Sequence, residues 1–302
     1  MLPAVRVNLS RYVRGAYALV LCLAWGSGAW AAPALWEVSD ARGVVRAHLF
    51  GTVHVCNAEC YPLPAAVREA FAQDARLALE LDTTDPEVMA TVASAGLLPA
   101  GQRLRARLPA ALAGAMSEAA TRLGLPIDLL DTMQPWFVST LLLATAAQQA
   151  GFSLDAGIDQ VLQMRAQAAG KPLVSLESAQ RQVAALSAGG EPAQLAALRQ
   201  TVDMINDGSM GDYLGRMVAA WRAGDDDGMR ALMTEGLDQQ LAAPLLAELI
   251  VARNREMAQR IHDLLGESGR LFVAVGGGHL IGERNIPDEL VRLGWRVRRV
   301  RH

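Results

Sequence analysis

The same short pattern stands at both ends of this chain, and it limits the folds available. The stretch "HLFGTVHV" (His48 to Val55) runs apolar residues into Gly51-Thr52-Val53-His54, and "LFVAVGGGHL" (Leu271 to Leu280) runs them into Gly276-Gly277-Gly278-His279. Each reads as a β-strand leaving through glycine, which permits a sharp turn, with a histidine three residues on. In open α/β sheets such exits face the crevice beyond the carboxyl ends of the strands, where ligands bind. Only five histidines occur, His48, His54, His262, His279 and His302. Two of them occupy this position.

Between the two units the text alternates a few strands with long helical blocks. "ALWEV" and "VVRAHLF" flank the turn-forming "SDARG" and predict a hairpin. "YPLPAAVREAFAQ" predicts a helix entered through Pro64, and Ala75 to Asp82 ("ARLALELD") a strand closed by two acids. From about residue 86 to 169 the composition is rich in Ala and Leu with helical spacing, with a break at Pro135. "KPLVSLES" (Lys171 to Ser178) predicts another strand, and a second helical block runs to about Gly266. The C-terminal unit reads strand, helix, strand. The expected class is therefore α/β: a mixed sheet built from N- and C-terminal segments, with a large helical insertion.

Residues 1–31 are set apart. Arg6, Arg11 and Arg14 precede an apolar run from Ala16 to about Trp25, and small residues close it around Ala29-Trp30-Ala31. That layout predicts a secretory signal peptide cleaved after Ala31, hence a periplasmic or secreted protein. Gly26, Ser27 and Gly28 interrupt the run, which is short for the ~20 residues of a spanning helix. Residues 32–302 form the expected single domain, with no stable membrane span after cleavage. They carry 25 Lys+Arg against 31 Asp+Glu and no basic tract, which argues against a nucleic-acid partner. Cys56 and Cys60, the cysteines left after cleavage, are expected to pair as a disulfide just beyond His54.

If the two Gly-x-x-His strands are sheet neighbours, His54 and His279 converge. Two imidazoles need one further ligand for a catalytic metal site, and a strand-end carboxylate suits it. Glu80 and Asp82 lie two apart in "LALELD", a spacing that puts both on one strand face, and Glu177 in "VSLES" sits similarly. His54, Glu80 and His279 are the expected ligands of a divalent manganese, cobalt or zinc ion. Asp82, Glu177, Gly51 and Gly276 are the expected supporting residues. The residues alone leave other readings open: "GGGH" could be an anion nest, and Arg253-Asn254-Arg255 a charged outer helix face. His48 reads as a strand-face residue, and His262 as an ordinary helical position.

Taken in order, "LFGTVHVCNAECYPLP", "LALELD", "QPWF", "GIDQ", "AAGKPLVSLES", "AAWRAGD", "ARNREMAQRI" and "FVAVGGGHLIGERN" resemble the TraB/GumN family, over about Leu35 to Val300. The resemblance implies a fold related to the erythromycin-esterase (EreA) and ChaN-like proteins, with both histidines in one site. It implies metal-dependent hydrolysis, peptide-bond cleavage in the TIKI branch, with catalytic residues Glu80, His54, His279, Arg253 and Asn254. "GGGH" departs mildly from the Gly-Ala-x-His form expected, and the cysteine pair is not part of the general pattern. The leading expectation is an exported metal-dependent hydrolase, possibly a peptidase, acting on a peptide or small-molecule substrate. The alternatives are a non-catalytic protein that sequesters a peptide or small ligand, and a metal-independent esterase.

Overall fold

The computed structural model describes residues 32–237, 239–267 and 269–301. The signal-peptide segment and His302 lie outside the described residues.

The predicted hairpin is present as β1 (Leu35–Ser39) and β2 (Val45–Thr52), paired antiparallel. Its turn is set by Asp40, whose carboxylate accepts the backbone N–H groups of Arg42 and Val44 at 2.9 and 3.0 Å. Gly43 beside it has φ +82°, a conformation that suits glycine. Helix α1 (Ala65–Gln73) follows, then β3 (Arg76–Leu79). The helical insertion comprises α2 (Pro86–Ala95), α3 (Ala110–Leu123), α4 (Ile127–Leu130), α5 (Pro135–Gln149) and α6 (Ile158–Ala168). After β4 (Leu173–Ser175) come α7 (Ala179–Leu186), α8 (Gly190–Asn206), α9 (Met210–Ala223), α10 (Asp226–Thr234) and α11 (Gln239–Leu246). A π-helical turn, Ala247–Ala252, leads into α12 (Arg253–Leu265). The chain closes with β5 (Leu271–Gly276), α13 (Ile286–Arg292) and β6 (Arg296–Arg299).

These strands form one six-stranded mixed sheet in the order β4-β3-β5-β2-β1-β6. The four strands β4, β3, β5 and β2 run parallel, with β4 at one edge, while β1 is antiparallel to both β2 and β6. Alternating residues face opposite layers, because successive strand side chains point to opposite sides. Phe50, Leu77 and Phe272 join the core shared with the helical insertion. Leu49, Ala78 and Val273 turn to the other face, against Met257, Ile261 and Leu264 of α12 and Ile286 and Leu290 of α13. Each such fully buried apolar side chain stabilises the fold by about 1.5–3 kcal/mol. The expected α/β class and the expected sheet are both found.

Two boundaries differ from the sequence reading. The strand expected over Ala75 to Asp82 stops at Leu79, and the one over Lys171 to Ser178 is only Leu173–Ser175. For β3 the reason lies at β5: the N–H of Gly276 bonds to the Glu80 carboxylate, so a side chain takes over from the backbone ladder there, while Leu176 and Glu177 still donate to the Leu79 and Glu80 carbonyls beyond the end of β4. The break expected at Pro135 is found: α4 ends at Leu130 and Pro135 opens α5, at a helix position where its missing N–H costs nothing. Among the described residues no helix is long and apolar enough to cross a membrane.

Candidate metal and catalytic site

Strands β2 and β5 are parallel neighbours, in register from Ala47 opposite Leu271 to Thr52 opposite Gly276. This pairing joins segments more than two hundred residues apart and delivers His54 and His279 to the same sheet edge. Each then enters a braced turn. Val53 accepts the N–H of Ile158 at 2.9 Å, and Cys56 exchanges two backbone bonds with Ser153 at 3.1 and 2.8 Å. Cys56 and Cys60 are joined by a disulfide. His279 lies on the short 3-10 turn Gly277–Leu280.

Each imidazole turns its Nδ1 towards an oxygen of a neighbouring side chain. Nδ1 of His279 is 2.6 Å from Oδ1 of Asn254, whose Nδ2 donates to the Arg284 carbonyl at 2.9 Å. An amide oxygen only accepts, so His279 donates from Nδ1 and its Nε2 carries the lone pair, 3.8 Å from Oε1 of Glu80. Nδ1 of His54 lies 3.2 Å from Oδ1 of Asp159, in the first turn of α6. His54 is 59% exposed through its side chain, whereas His279 and Glu80 are 5% and 10% exposed, so His54 stands at the mouth of the site.

Glu80 is the hub. Its Oε1 accepts the Gly276 N–H at 2.7 Å and its Oε2 accepts from Nη2 of Arg253 at 2.5 Å. Arg253 also grips Glu177, through Nε at 2.9 Å and Nη2 at 2.5 Å, and donates from Nη1 to the Leu249 carbonyl at 3.0 Å. That carbonyl belongs to the π-helical turn before α12, a geometry that frees backbone acceptors within a helix. Arg253 and Asn254 are buried, at 5% and 0% exposure. They form no charged outer face, because two carboxylates and an imidazole supply the partners that burial requires.

Gly276 sits among these groups. A Cβ on it would meet Oε1 of Glu80 at 3.2 Å, Nε2 of His54 at 3.4 Å and Cδ2 of His279 at 3.8 Å. The glycine thus leaves a cradle one methyl wide between two imidazoles and a carboxylate. The next two glycines meet α10: Cβ atoms at Gly277 and Gly278 would lie 3.0 Å from Cε of Met229 and 2.7 Å from Cε of Met233. Both contacts are with the ends of flexible side chains, which could shift to admit a methyl.

The charges shape each other. Burial opposes ionisation of Glu80, but His279, His54, Arg253 and the Gly276 N–H together hold its carboxyl down at about 2. Burial lowers His279 to about 4, leaving it neutral at pH 7. The adjacent Asp159 carboxylate raises His54 towards 9, an effect that solvent at this exposed ring weakens. Burial raises Glu177 despite its bonds to Arg253.

The donors suit a divalent metal ion. Two imidazole nitrogens and a carboxylate are a catalytic zinc-type set, and an acceptor on each Nδ1 is the usual outer support. Ligands about 2.1 Å from a tetrahedral ion lie about 3.4 Å apart. The 3.8 Å between Glu80 and His279 is close to that separation. Among the described residues no three His, Cys, Asp or Glu side chains are already drawn together tightly enough to hold an ion. Loading would require His54, the exposed member, to move inward.

The structure therefore brings His54, Glu80, His279, Arg253, Asn254, Glu177 and Gly276 together. Gly51 lies behind them, its absent side chain admitting Cα of Gly277 at 3.2 Å and its carbonyl accepting from Nε1 of Trp221 at 2.8 Å. Asp82 is a correction. With the strand ended at Leu79, the expected shared face with Glu80 is lost. Asp82 instead accepts from Gln163 at 2.5 Å and from the backbone and hydroxyl of Thr84 at 2.9 and 2.6 Å, an Asx-type turn apart from the site. Asp159 was missed. Its only sequence signal was an acid in the first turn of a helix, which ordinary capping explains equally well. His48 is a buried strand-face residue, with Nδ1 2.7 Å from Asp74, and His262 accepts from Trp295 at 3.0 Å.

Comparison with known proteins identifies relatives of this chain. The uncharacterized protein YbaP of Shigella flexneri is 26% identical over 257 residues, covering 84% of this chain and 92% of its own length. YbaP of Escherichia coli K12 is 26% identical over 243 residues, covering 80% and 87%. Metalloprotease TIKI2 of Danio rerio is 24% identical over 317 residues, covering 87% of this chain and 60% of its own length. No solved structure matches the chain, so the kinship expected with EreA and ChaN-like folds has no structural match behind it. The TraB/PrgY/gumN family profile matches residues 34–299, so the chain belongs to the TraB/PrgY/gumN family.

Proposed function

We propose that this protein is a metal-dependent hydrolase of neutral carbonyl linkages, with peptide bonds the first candidates. The observation that carries the reading is a pair of histidines facing a buried carboxylate across the Gly276 cradle, His279 bonded through Nδ1 to Asn254 and His54 paired with Asp159. The similarity to the TIKI metalloproteases supports it. His54, His279 and Glu80 would hold the ion, which when bound supplies Lewis-acid polarisation and an acidified water. Asn254 keeps His279 in the tautomer whose Nε2 faces the cradle, and Asp159 orients His54. Arg253 holds Glu80 ionised and fixes its rotamer. That guanidinium already serves two carboxylates, so it is committed within the protein. An uncharged amide or ester suits such a site better than a phosphate or carboxylate does.

We place the protein outside the cytosol. The layout of residues 1–31 and the Cys56–Cys60 disulfide support an oxidising compartment.

The test is elemental analysis of the purified protein after dialysis, for wild type and His54→Ala/His279→Ala, followed by a peptide panel with and without chelator. Near-stoichiometric manganese, cobalt or zinc lost in the double variant, with chelator-sensitive cleavage, is the expected result. Failure to take up any of the three ions would overturn it. Ligand binding that survives the double substitution would point to the sequestering reading instead.

A further inference from the structure

Thr52 is the last residue of β2 and is 1% exposed. Its hydroxyl oxygen is buried and makes no hydrogen bond to any described group of the chain. A buried hydroxyl without a partner is destabilising, so such a group calls for a specific explanation. Its neighbours suggest one. Thr52 pairs directly with Gly276 in the parallel ladder of β2 and β5. Directly paired residues on parallel strands point to the same face, as Phe50 and Ala274 do one step earlier, both in the core against the helical insertion. The Thr52 side chain therefore stands beside the missing side chain of Gly276, about 5 Å away across the ladder. That missing side chain marks the cradle among Glu80, His54 and His279. Nδ1 of each histidine and both oxygens of Glu80 already face protein partners.

We infer that the Thr52 hydroxyl is a catalytic group of this site, hydrogen-bonded to the oxygen atom that occupies the cradle. In the resting protein that oxygen belongs to a water molecule, and in turnover to the attacking water. A hydroxyl suits the task because it donates one hydrogen bond and accepts others while staying uncharged beside an ionised Glu80. No covalent step involves Thr52. The inference rests on the proposed hydrolase for its catalytic half, while its structural half stands without it.

The experiment compares crystal structures and kinetics of wild type, Thr52→Val and Thr52→Ser. Valine keeps the shape and removes the hydroxyl; serine restores it. Wild type and T52S should show an ordered oxygen within about 3 Å of the hydroxyl and in reach of Glu80 or Nε2 of His54. In T52V that oxygen should be lost or displaced, while the melting temperature is unchanged or higher. On the peptide identified by the panel, T52V should lose about 10- to 100-fold in kcat with little change in KM. T52S should stay within about threefold of wild type. A Thr52 hydroxyl bonded to a backbone carbonyl, or an oxygen that keeps its place in T52V, would overturn the inference. So would wild-type kinetics in T52V, and in either case the hydrolase reading would be untouched. Conversely, an oxygen bound as described in a protein that cleaves nothing leaves the Thr52 hydroxyl as that oxygen's partner and removes both its catalytic role and the hydrolase.

Discussion

Gly276→Ala separates the site from the fold. The backbone at Gly276 has φ −49° and ψ 135°, which alanine adopts without strain. Adding the methyl also restricts the unfolded chain, worth about 0.4–1 kcal/mol in favour of folding. Against this stands the contact at 3.2 Å with Oε1 of Glu80, a few tenths of an ångström too close. The carboxylate cannot swing away freely, being held by the Gly276 N–H at 2.7 Å and by Arg253 at 2.5 Å. Such local overpacking costs about 1–2 kcal/mol. The net change should be a loss of between about 0 and 1.6 kcal/mol, a shift of a few degrees in Tm. For a metal ion the same methyl is prohibitive. The methyl would crowd Oε1 of Glu80 and Nε2 of His54, two of the atoms that would hold the ion, so affinity should fall by at least about a thousandfold. Urea titration followed by circular dichroism measures the first quantity, and calorimetric titration with zinc or manganese the second. A variant that folds like wild type and binds metal equally well would refute the claim that the groups lining the cradle hold the ion. A loss above about 3 kcal/mol would show instead that Gly276 serves the fold.

Two further outcomes follow from the charges. Arg253→Met should cost about 3–5 kcal/mol by urea unfolding, because it leaves Glu80 and Glu177 buried without their common partner. Adding Glu177→Gln should recover part of that loss, and no recovery would argue against shared pairing. Stability should also fall with acidification. Glu80, held at about 2, contributes above its unfolded value of 4.5 and loses that contribution as pH drops towards 2. His279, lowered to about 4, is fully stabilising as the neutral base above 6.5 and loses this between 6.5 and 4. His54 has the opposite sign: its contribution is present below 6.5 and fades as pH rises towards 9. Urea midpoints should therefore be greatest near neutral pH, with the steeper decline on the acid side, and a midpoint that rises from pH 7 to pH 4 would contradict this assignment.

Much of the architecture could be read from local pattern. Period-two and period-3.6 spacing located the hairpin, the helical blocks and both glycine exits, because these periodicities reflect backbone geometry within a few residues. Glu80 could be found as an acid closing an apolar strand, and the histidines through their repeated context. Tertiary structure alone decided which of these residues meet. His54 and His279 share a site because β2 and β5 lie side by side, a register set by burial across the whole sheet and not by either segment. Glu80 and Asp82 look equivalent in "LALELD", yet the strand ends at Leu79, before both, and only Glu80 turns inward. Arg253 is indistinguishable by residue type from an arginine on a solvated helix, and only the placement of Glu80 and Glu177 makes it a buried clamp. Asp159 and Thr52 gain their significance in the same way. A side chain's chemistry is local, whereas its partners and its exposure to water are properties of the packed chain.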